Sequence, residues 1–419
     1  MEAVYYALNP WWEGKDFESG IERAEYLGKF PELLKRKQIE VIIGSRRAGK
    51  TTMLKQFIKR LLGEGVREKE IFYLALDNPA LSGTTVSGHL KNMRRLFMHA
   101  RGKKIFLFLD EVQESPNWEV ELKSLYDTEN LKMFCTGSTS ALIKSQGGRL
   151  TGRQIVTTLY PLSFDEFILF RGSRPVLSED YKYERLVEEY LSIGGYPENV
   201  LNPSIEYMSN LLEDIIARDL IRLYPIKKPF VLKDLLRLIA ASVGSRTSFN
   251  KLSKVLDLSV DTVKEYISYL ESAFLVVLME KWTTSYAERV YAPKKIYLWD
   301  TGVKTLLTGT ADEGSKAENA VFIQLRRRNI ECGYFAESEK EVDFVTGGSK
   351  KPFPMEVKYL TSIDPRDRRL SGIRLFLHRY PNTKRAIVIS KNVETQIKIN
   401  TTDIKVVPLW RFLFSSEKI

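Results

Sequence analysis

Gly44-Ser45-Arg46-Arg47-Ala48-Gly49-Lys50-Thr51 fills every position of the pattern G-x-x-x-x-G-K-[ST], and Thr52 extends it. The apolar run Ile39 to Ile43 ahead of it reads as a buried strand, and Thr52 to Leu62 behind it reads as a helix. Strand, glycine loop and helix in that order make a phosphate cradle. The two glycines let successive backbone N–H groups turn inward, and the start of the helix adds its positive end. Lys50 is expected to neutralise the β- and γ-phosphates of a nucleoside triphosphate, and the Thr51 hydroxyl to hold a magnesium ion.

A companion follows. Lys103 to Leu109 is an apolar strand that ends in Asp110-Glu111. An acid at the end of a buried strand beside such a loop can hold magnesium through a water, and a second acid can activate the attacking water. Asp110 takes the first role and Glu111 the second. Ile71 to Leu76 and Leu131 to Ser138 read as further strands of the same parallel sheet. Thr136 and Ser138 end theirs where a hydroxyl can sense the γ-phosphate, or can simply cap the next helix. Gly148-Arg149-Leu150-Thr151-Gly152-Arg153 offers guanidinium groups. Arg153 is the first candidate, and Arg149 the second, for stabilising transition-state charge in a neighbouring subunit of a homo-oligomer; a structural salt bridge is the alternative use.

Composition sets the frame. At 419 residues the chain exceeds one ordinary domain, and its 43% hydrophobic content can fill real cores. No apolar run reaches the ~20 residues that cross a bilayer, so no membrane partner is expected. The first residues, Met1-Glu2-Ala3-Val4-Tyr5-Tyr6, lack the basic start of a secretory signal. Cys135 and Cys332 cannot make a disulfide framework, so a reducing, cytoplasmic setting is expected. The net charge of +11 is unevenly placed: residues 1–225 are neutral, residues 226–310 carry +5 and residues 311–419 carry +6. A basic half beside a neutral one points to a polyanion, most simply DNA, while a solvated Lys/Arg-rich surface would give the same totals.

Taken in order, Gly44 to Thr52, Leu109-Asp110-Glu111-Val112-Gln113, Thr136-Gly137-Ser138, Tyr160 to Phe167, Gly194-Gly195-Tyr196-Pro197 and Ala217-Arg218-Asp219-Leu220 resemble a known group. It is the AAA+-type ATPases of archaea and bacteria whose C-terminal part was long called a domain of unknown function. The resemblance covers nearly the whole chain from about residue 21. It implies an α/β fold: a P-loop NTPase parallel sheet with a helical lid, then a winged helix, then an α/β domain similar to restriction endonucleases. The choice of ATP over GTP rests on it alone.

The rest of the chain is consistent with that plan. Phe249 to Leu256 and Asp261 to Ala273 read as a helix-turn-helix, with Phe274 to Met279 entering a wing. Asp261, Lys264 and Glu265 lie on the outer face of the second helix, an unpromising surface for reading bases; Arg289, Lys294 and Lys295 make the wing the better phosphate contact. Further on, Glu318 lies on a helix, Ser315 to Arg328. Asp343 lies on the strand Glu341 to Val345, and Glu356 and Lys358 share a face of the strand Met355 to Tyr359. Helix Glu, strand Asp and Glu-x-Lys is the order of the PD-(D/E)xK nucleases. In such a site Glu318, Asp343 and Glu356 would hold Mg2+ or Mn2+, while Lys358 orients water or offsets phosphate charge; the alternative is that the acids simply pair with Lys358, Arg326 or other cations as salt bridges. The clusters Arg326-Arg327-Arg328 and Arg366 to Arg369 could track a phosphate backbone.

Domains are accordingly expected at 1–225 (ATPase core with lid), 226–310 (winged helix) and 311–419 (nuclease-like). Two functions fit. One is an ATP-hydrolysing protein that acts on DNA through a nuclease-like domain. The other is a nucleotide-dependent switch that holds a protein partner and uses that domain only for docking.

Overall fold

The structure is a computed structural model that describes all residues except 139–149, 174, 177, 310, 311, 400 and 415–419. Gly148 and Arg149 lie outside the described residues. The chain divides into two compact units, Met1–Leu159 and Tyr160–Ile419.

The first unit is built on a parallel sheet of β1 (Ile39–Ile43), β2 (Ile71–Ala75), β3 (Ile105–Asp110), β4 (Leu131–Gly137) and β5 (Gln154–Thr158), in the order β2-β3-β4-β1-β5. β1 and β3 are buried throughout, as strands of a sheet covered on both faces are, and the one charged residue inside β1, Glu40, is buried against Lys132 at 2.9 Å. The helix Lys50–Gly63 starts at Gly49, whose φ of 98° is open to glycine and strained for other residues. β5 carries no clear strand pattern in the sequence: four of its five residues are only partly buried and one is exposed. The N-terminal segment is also part of this unit. Asn9 bonds both backbone groups of Tyr73 at 2.7 and 3.0 Å, so its amide pairs with the edge strand β2 as another strand would.

In the second unit, helices Phe164–Phe170 and Asp180–Ile193 lead to a helix Pro229–Ala241. Then come β6 (Arg246–Thr247), helices Phe249–Leu256 and Val260–Ser272, β7 (Val276–Met279) and β8 (Lys294–Leu298), the strands pairing in the order β6-β8-β7. A helix Glu313–Arg327 precedes a mixed sheet. Its strands are β9 (Cys332–Glu337), β10 (Lys340–Thr346), β11 (Phe353–Lys358), β12 (Arg385–Ser390), β13 (Thr395–Ile399) and β14 (Thr402–Pro408), in the order β13-β14-β12-β11-β10-β9. The β10–β11 hairpin is the one that Gly347-Gly348 marked in the sequence. The helix Ser371–Arg379 packs Ile373 and Phe376 against Val342, Val345 and Val388.

One hydrophobic core holds residues from both sides of 225 and of 311, among them Phe167, Leu191, Leu235, Ile267, Tyr297, Phe322, Met355 and Trp410. Helices assigned from sequence to an ATPase lid therefore share a core with the residues that follow them. The Gly194-Gly195 pair explains part of this packing. Gly194 has φ 78°, and a Cβ there would lie 2.0 Å from Asp300 Oδ1. Asp300 is buried and accepts from the Gly195 N–H at 2.6 Å and the Gly302 N–H at 2.9 Å. This motif is a structural clasp. Gly194→Ala should cost about 3 kcal/mol, measured as a lower urea midpoint for the second unit, because it adds both a collision and a disfavoured backbone conformation. No helix among the described residues is long and apolar enough to cross a membrane.

Candidate nucleotide site and C-terminal carboxylate site

The loop Gly44 to Thr51 joins the end of β1 to the helix Lys50–Gly63, where ligands bind in open parallel sheets. Lys50 is 4% exposed, and its Nζ donates to the carbonyls of Gly44 and Ser45, each at 3.1 Å. It also lies 3.9 Å from Glu111 Oε1. Arg23, buried, reaches the Ala48 carbonyl at 3.2 Å and so fixes the loop from outside. Arg46 is half-buried, Arg47 exposed in the left-handed region (φ 63°), and Thr52 half-buried.

Asp110 ends β3 as expected, and hydroxyl groups surround its carboxylate. Thr51 Oγ1 donates to Oδ2 at 2.6 Å, Tyr73 OH donates to the same oxygen at 2.9 Å, and Thr136 Oγ1 donates to Oδ1. Thr136 also accepts from the Glu111 N–H at 2.9 Å. The Thr136 hydroxyl thus fixes both acids. Glu111 follows with φ 51°, and the Gln113 amide donates to Glu111 Oε2 at 2.5 Å and reaches Ser138 Oγ at 3.4 Å. Tyr73, Gln113 and Asp77 were not identified from the sequence. Burial, then Asp110, raises the Tyr73 phenol well above its usual range. Burial, then Asp110 and Glu111, raises the Asp77 carboxyl.

These residues fit a magnesium–triphosphate group. Ser45 Oγ is buried with no hydrogen-bond partner among the described residues, a hydroxyl on the loop open to a ligand. A hydroxyl (Thr51) and a carboxylate (Asp110) in contact are the hard oxygen donors that magnesium takes alongside water and phosphate. With the ion bound, Thr51 and Asp110 would hold it, and it would supply charge neutralisation for phosphoryl transfer. Lys50 offers a buried cation inside the loop, where it could bind and orient phosphate, and Glu111 offers a carboxylate 3.9 Å from it that could take a proton from water. Arg153 is committed elsewhere: its guanidinium makes a two-point pair with Asp127 at 3.0 and 3.1 Å. That is the structural alternative to a role at a neighbouring subunit.

The C-terminal tetrad does converge. Lys358 Nζ lies 2.6 Å from Glu356 Oε1 and 4.0 Å from Asp343 Oδ2. The Asp343 N–H donates to Glu356 Oε2 at 3.2 Å, and the Val357 N–H donates to Asp343 Oδ2 at 2.8 Å. Glu318 comes in from the helix Glu313–Arg327 and accepts from Tyr297 OH at 2.7 Å. Burial and Asp343 push the Glu318 carboxyl up to about 7; burial and Asp343, opposed by Lys358, push Glu356 up to about 8. Asp343 goes the other way: burial raises its carboxyl, but Lys295 and Lys358 together hold it below its ordinary value.

The sequence reading of Lys295 as a phosphate contact on the wing does not hold. Lys295 is 1% exposed on β8, and its Nζ lies 2.9 Å from Glu318 Oε1 and 3.3 Å from Asp343 Oδ1, with Glu341 also in ion-pair contact. Lys294 is buried as well and pairs with Glu280 at 3.1 Å. Neither can meet a phosphate backbone; Arg289, exposed, still can. The expected metal ligands Glu318, Asp343 and Glu356 therefore do not form an open oxygen cage. The described residues contain no group of three or more acidic, His or Cys ligands arranged for a metal ion. Mg2+ or Mn2+ does not fit there as the side chains stand. Two of the three arginines at 326–328 are likewise structural. Arg327 donates to the Pro161 carbonyl and covers the Tyr160 ring, and Arg328 donates to the carbonyls of Phe412 and Phe414 at 2.7 and 2.6 Å.

Comparison with known proteins agrees with the first unit's geometry. Residues 36–168 match the family model described as an AAA domain. That stretch is an AAA-type, nucleotide-binding ATPase domain of P-loop fold. Two models described as domains of unknown function match residues 184–314 and 313–412. The chain is similar to an uncharacterized protein of Haemophilus influenzae, 25% identical over 93% of this chain and 98% of the relative. An uncharacterized protein of Methanocaldococcus jannaschii is 26% identical over 90% of this chain and 88% of its own. Among solved structures, AMPPCP-bound DnaA from Aquifex aeolicus is 16% identical and covers 63% of this chain and 92% of its own, at a TM-score of 0.29, too low to bear on function.

Proposed function

We propose that this chain is an ATP-hydrolysing protein that acts on DNA, with ATP turnover in the first unit and DNA contact in the second. The observation that carries the ATPase half is the closed constellation of Lys50, Thr51, Asp110, Glu111 and Thr136 around the phosphate loop. For DNA, the support is the placement of charge: the excess of +11 falls entirely after residue 225, and Arg289, Arg326, Arg366 and Arg368 are exposed there.

Two fold readings support the same view. The order of a helix, β6, two helices, β7 and β8 is that of a winged helix. The order of a helix, three strands, a helix and a strand, from Glu313 to Ser390, is that of restriction-endonuclease cores. The second helix of the first motif is a poor base reader, since Lys264 pairs with Asp261 at 3.4 Å and Tyr269 holds Glu265 at 2.6 Å. DNA contact of this kind is through phosphates and should weaken steeply between roughly 50 and 200 mM salt. Fluorescence anisotropy with labelled duplex and single-stranded DNA measures it. A chain that retains no DNA at the lower salt supports the second reading, a nucleotide switch that docks a protein partner. One observation favours that reading: the carboxylates needed for strand cleavage are already engaged by Lys295 and Lys358.

A further inference from the structure

The centre of the C-terminal carboxylate group is filled by a side chain that comes from outside the Glu-Asp-Glu-x-Lys pattern. Lys295 reaches it from β8, and its ammonium meets one oxygen each of Glu318, Glu341 and Asp343. An ammonium has three N–H donors, so these three acceptors satisfy it completely. Most of the other acid oxygens are used too. Arg246 Nε holds Glu341 Oε2 at 2.9 Å, the Val357 N–H holds Asp343 Oδ2, and Glu356 divides between Lys358 and the Asp343 N–H, while Tyr297 adds a second donor to Glu318 Oε1. A divalent cation needs several of these same oxygens at short range and would be set against an ammonium that water cannot draw away, since Lys295 is 1% exposed.

We propose that Lys295 is a built-in replacement for the divalent cation: the native C-terminal site keeps its acids together with an internal ammonium and takes up no Mg2+ or Mn2+. Removing the ammonium turns the same acids into a divalent-cation site. The inference does not depend on whether the unit's partner is DNA or protein.

Mn2+ binding to the nucleotide-free full chain, by equilibrium dialysis or electron paramagnetic resonance, tests it without any activity readout. Any ion held near Thr51 and Asp110 is common to all variants and cancels in the comparison. Lys295→Met should bind one Mn2+ per chain more than the native protein, and Asp343→Asn added to it should remove that increment. Asp343→Asn alone should leave the native stoichiometry unchanged. A native chain that loses one Mn2+ on Asp343→Asn overturns the proposal, as does a folded Lys295→Met that gains none. Should Lys295→Met fail to fold, the native chain and Asp343→Asn decide the matter by themselves.

Discussion

Lys50→Ala should reduce ATP turnover on the order of 10²–10³-fold, the usual consequence of removing one charged group from a phosphoryl-transfer site. Among the loop's cations Lys50 is the buried one, whereas Arg47 is exposed and Arg46 half-buried. Its stem is packed, with 4% of the residue exposed, and its Nζ bridges the Gly44 and Ser45 carbonyls. Some loosening of the loop should accompany the loss of charge. Steady-state phosphate release measures the effect, with circular dichroism to show that the parallel sheet persists. Unchanged turnover in a folded variant would mean that another site hydrolyses ATP.

Lys295→Met should destabilise the second unit by about 3–5 kcal/mol, the cost of leaving buried charges without their partner. The methionine keeps most of the volume, so the loss reports charge and not a cavity. Glu318, Glu341 and Asp343 would then face one another, with Arg246 still on Glu341 and Lys358 4.0 Å from Asp343. The sign of the pH dependence follows. The Glu318 carboxyl is already raised to about 7 by burial and Asp343, and a raised carboxyl gives stability that is full below its unfolded value and lost as pH rises through its folded one. Without the ammonium that window shifts further up, so the deficit of Lys295→Met should be largest near pH 8 and shrink toward pH 5. Urea midpoints at the two pH values measure it; an equal deficit at both would point to lost packing.

What could be seen in the sequence was local. Strand, loop and helix around Gly44 to Thr51 lie within one short stretch, so spacing alone reveals them, and Asp110-Glu111 announces itself by ending an apolar run. Glu318, Asp343, Glu356 and Lys358 were legible because a helix and a hairpin bring them together. Lys295 was not. Lys294-Lys295 at the start of a strand looks like any solvated basic pair, and only the packing of β8 against a hairpin 48 residues later buries it. Tyr73 lies in an apolar strand where a phenol passes for core, until its neighbour β3 places Asp110 beside it. The Gly194-Gly195 motif was visible but mute, since its partner Asp300 is 105 residues away from Gly195. The division at Leu159 was hidden because it depends on which helices share a core, a property of the assembled fold.

The proposal that ATP hydrolysis serves action on DNA is tested most directly by ATP turnover of the full chain at low salt, with and without linear, circular and single-stranded DNA. The predicted result is a rate that rises with DNA, returns to its basal value as salt is added, and disappears in Lys50→Ala. A basal rate that no form of DNA alters, from a chain that also retains none, would contradict it.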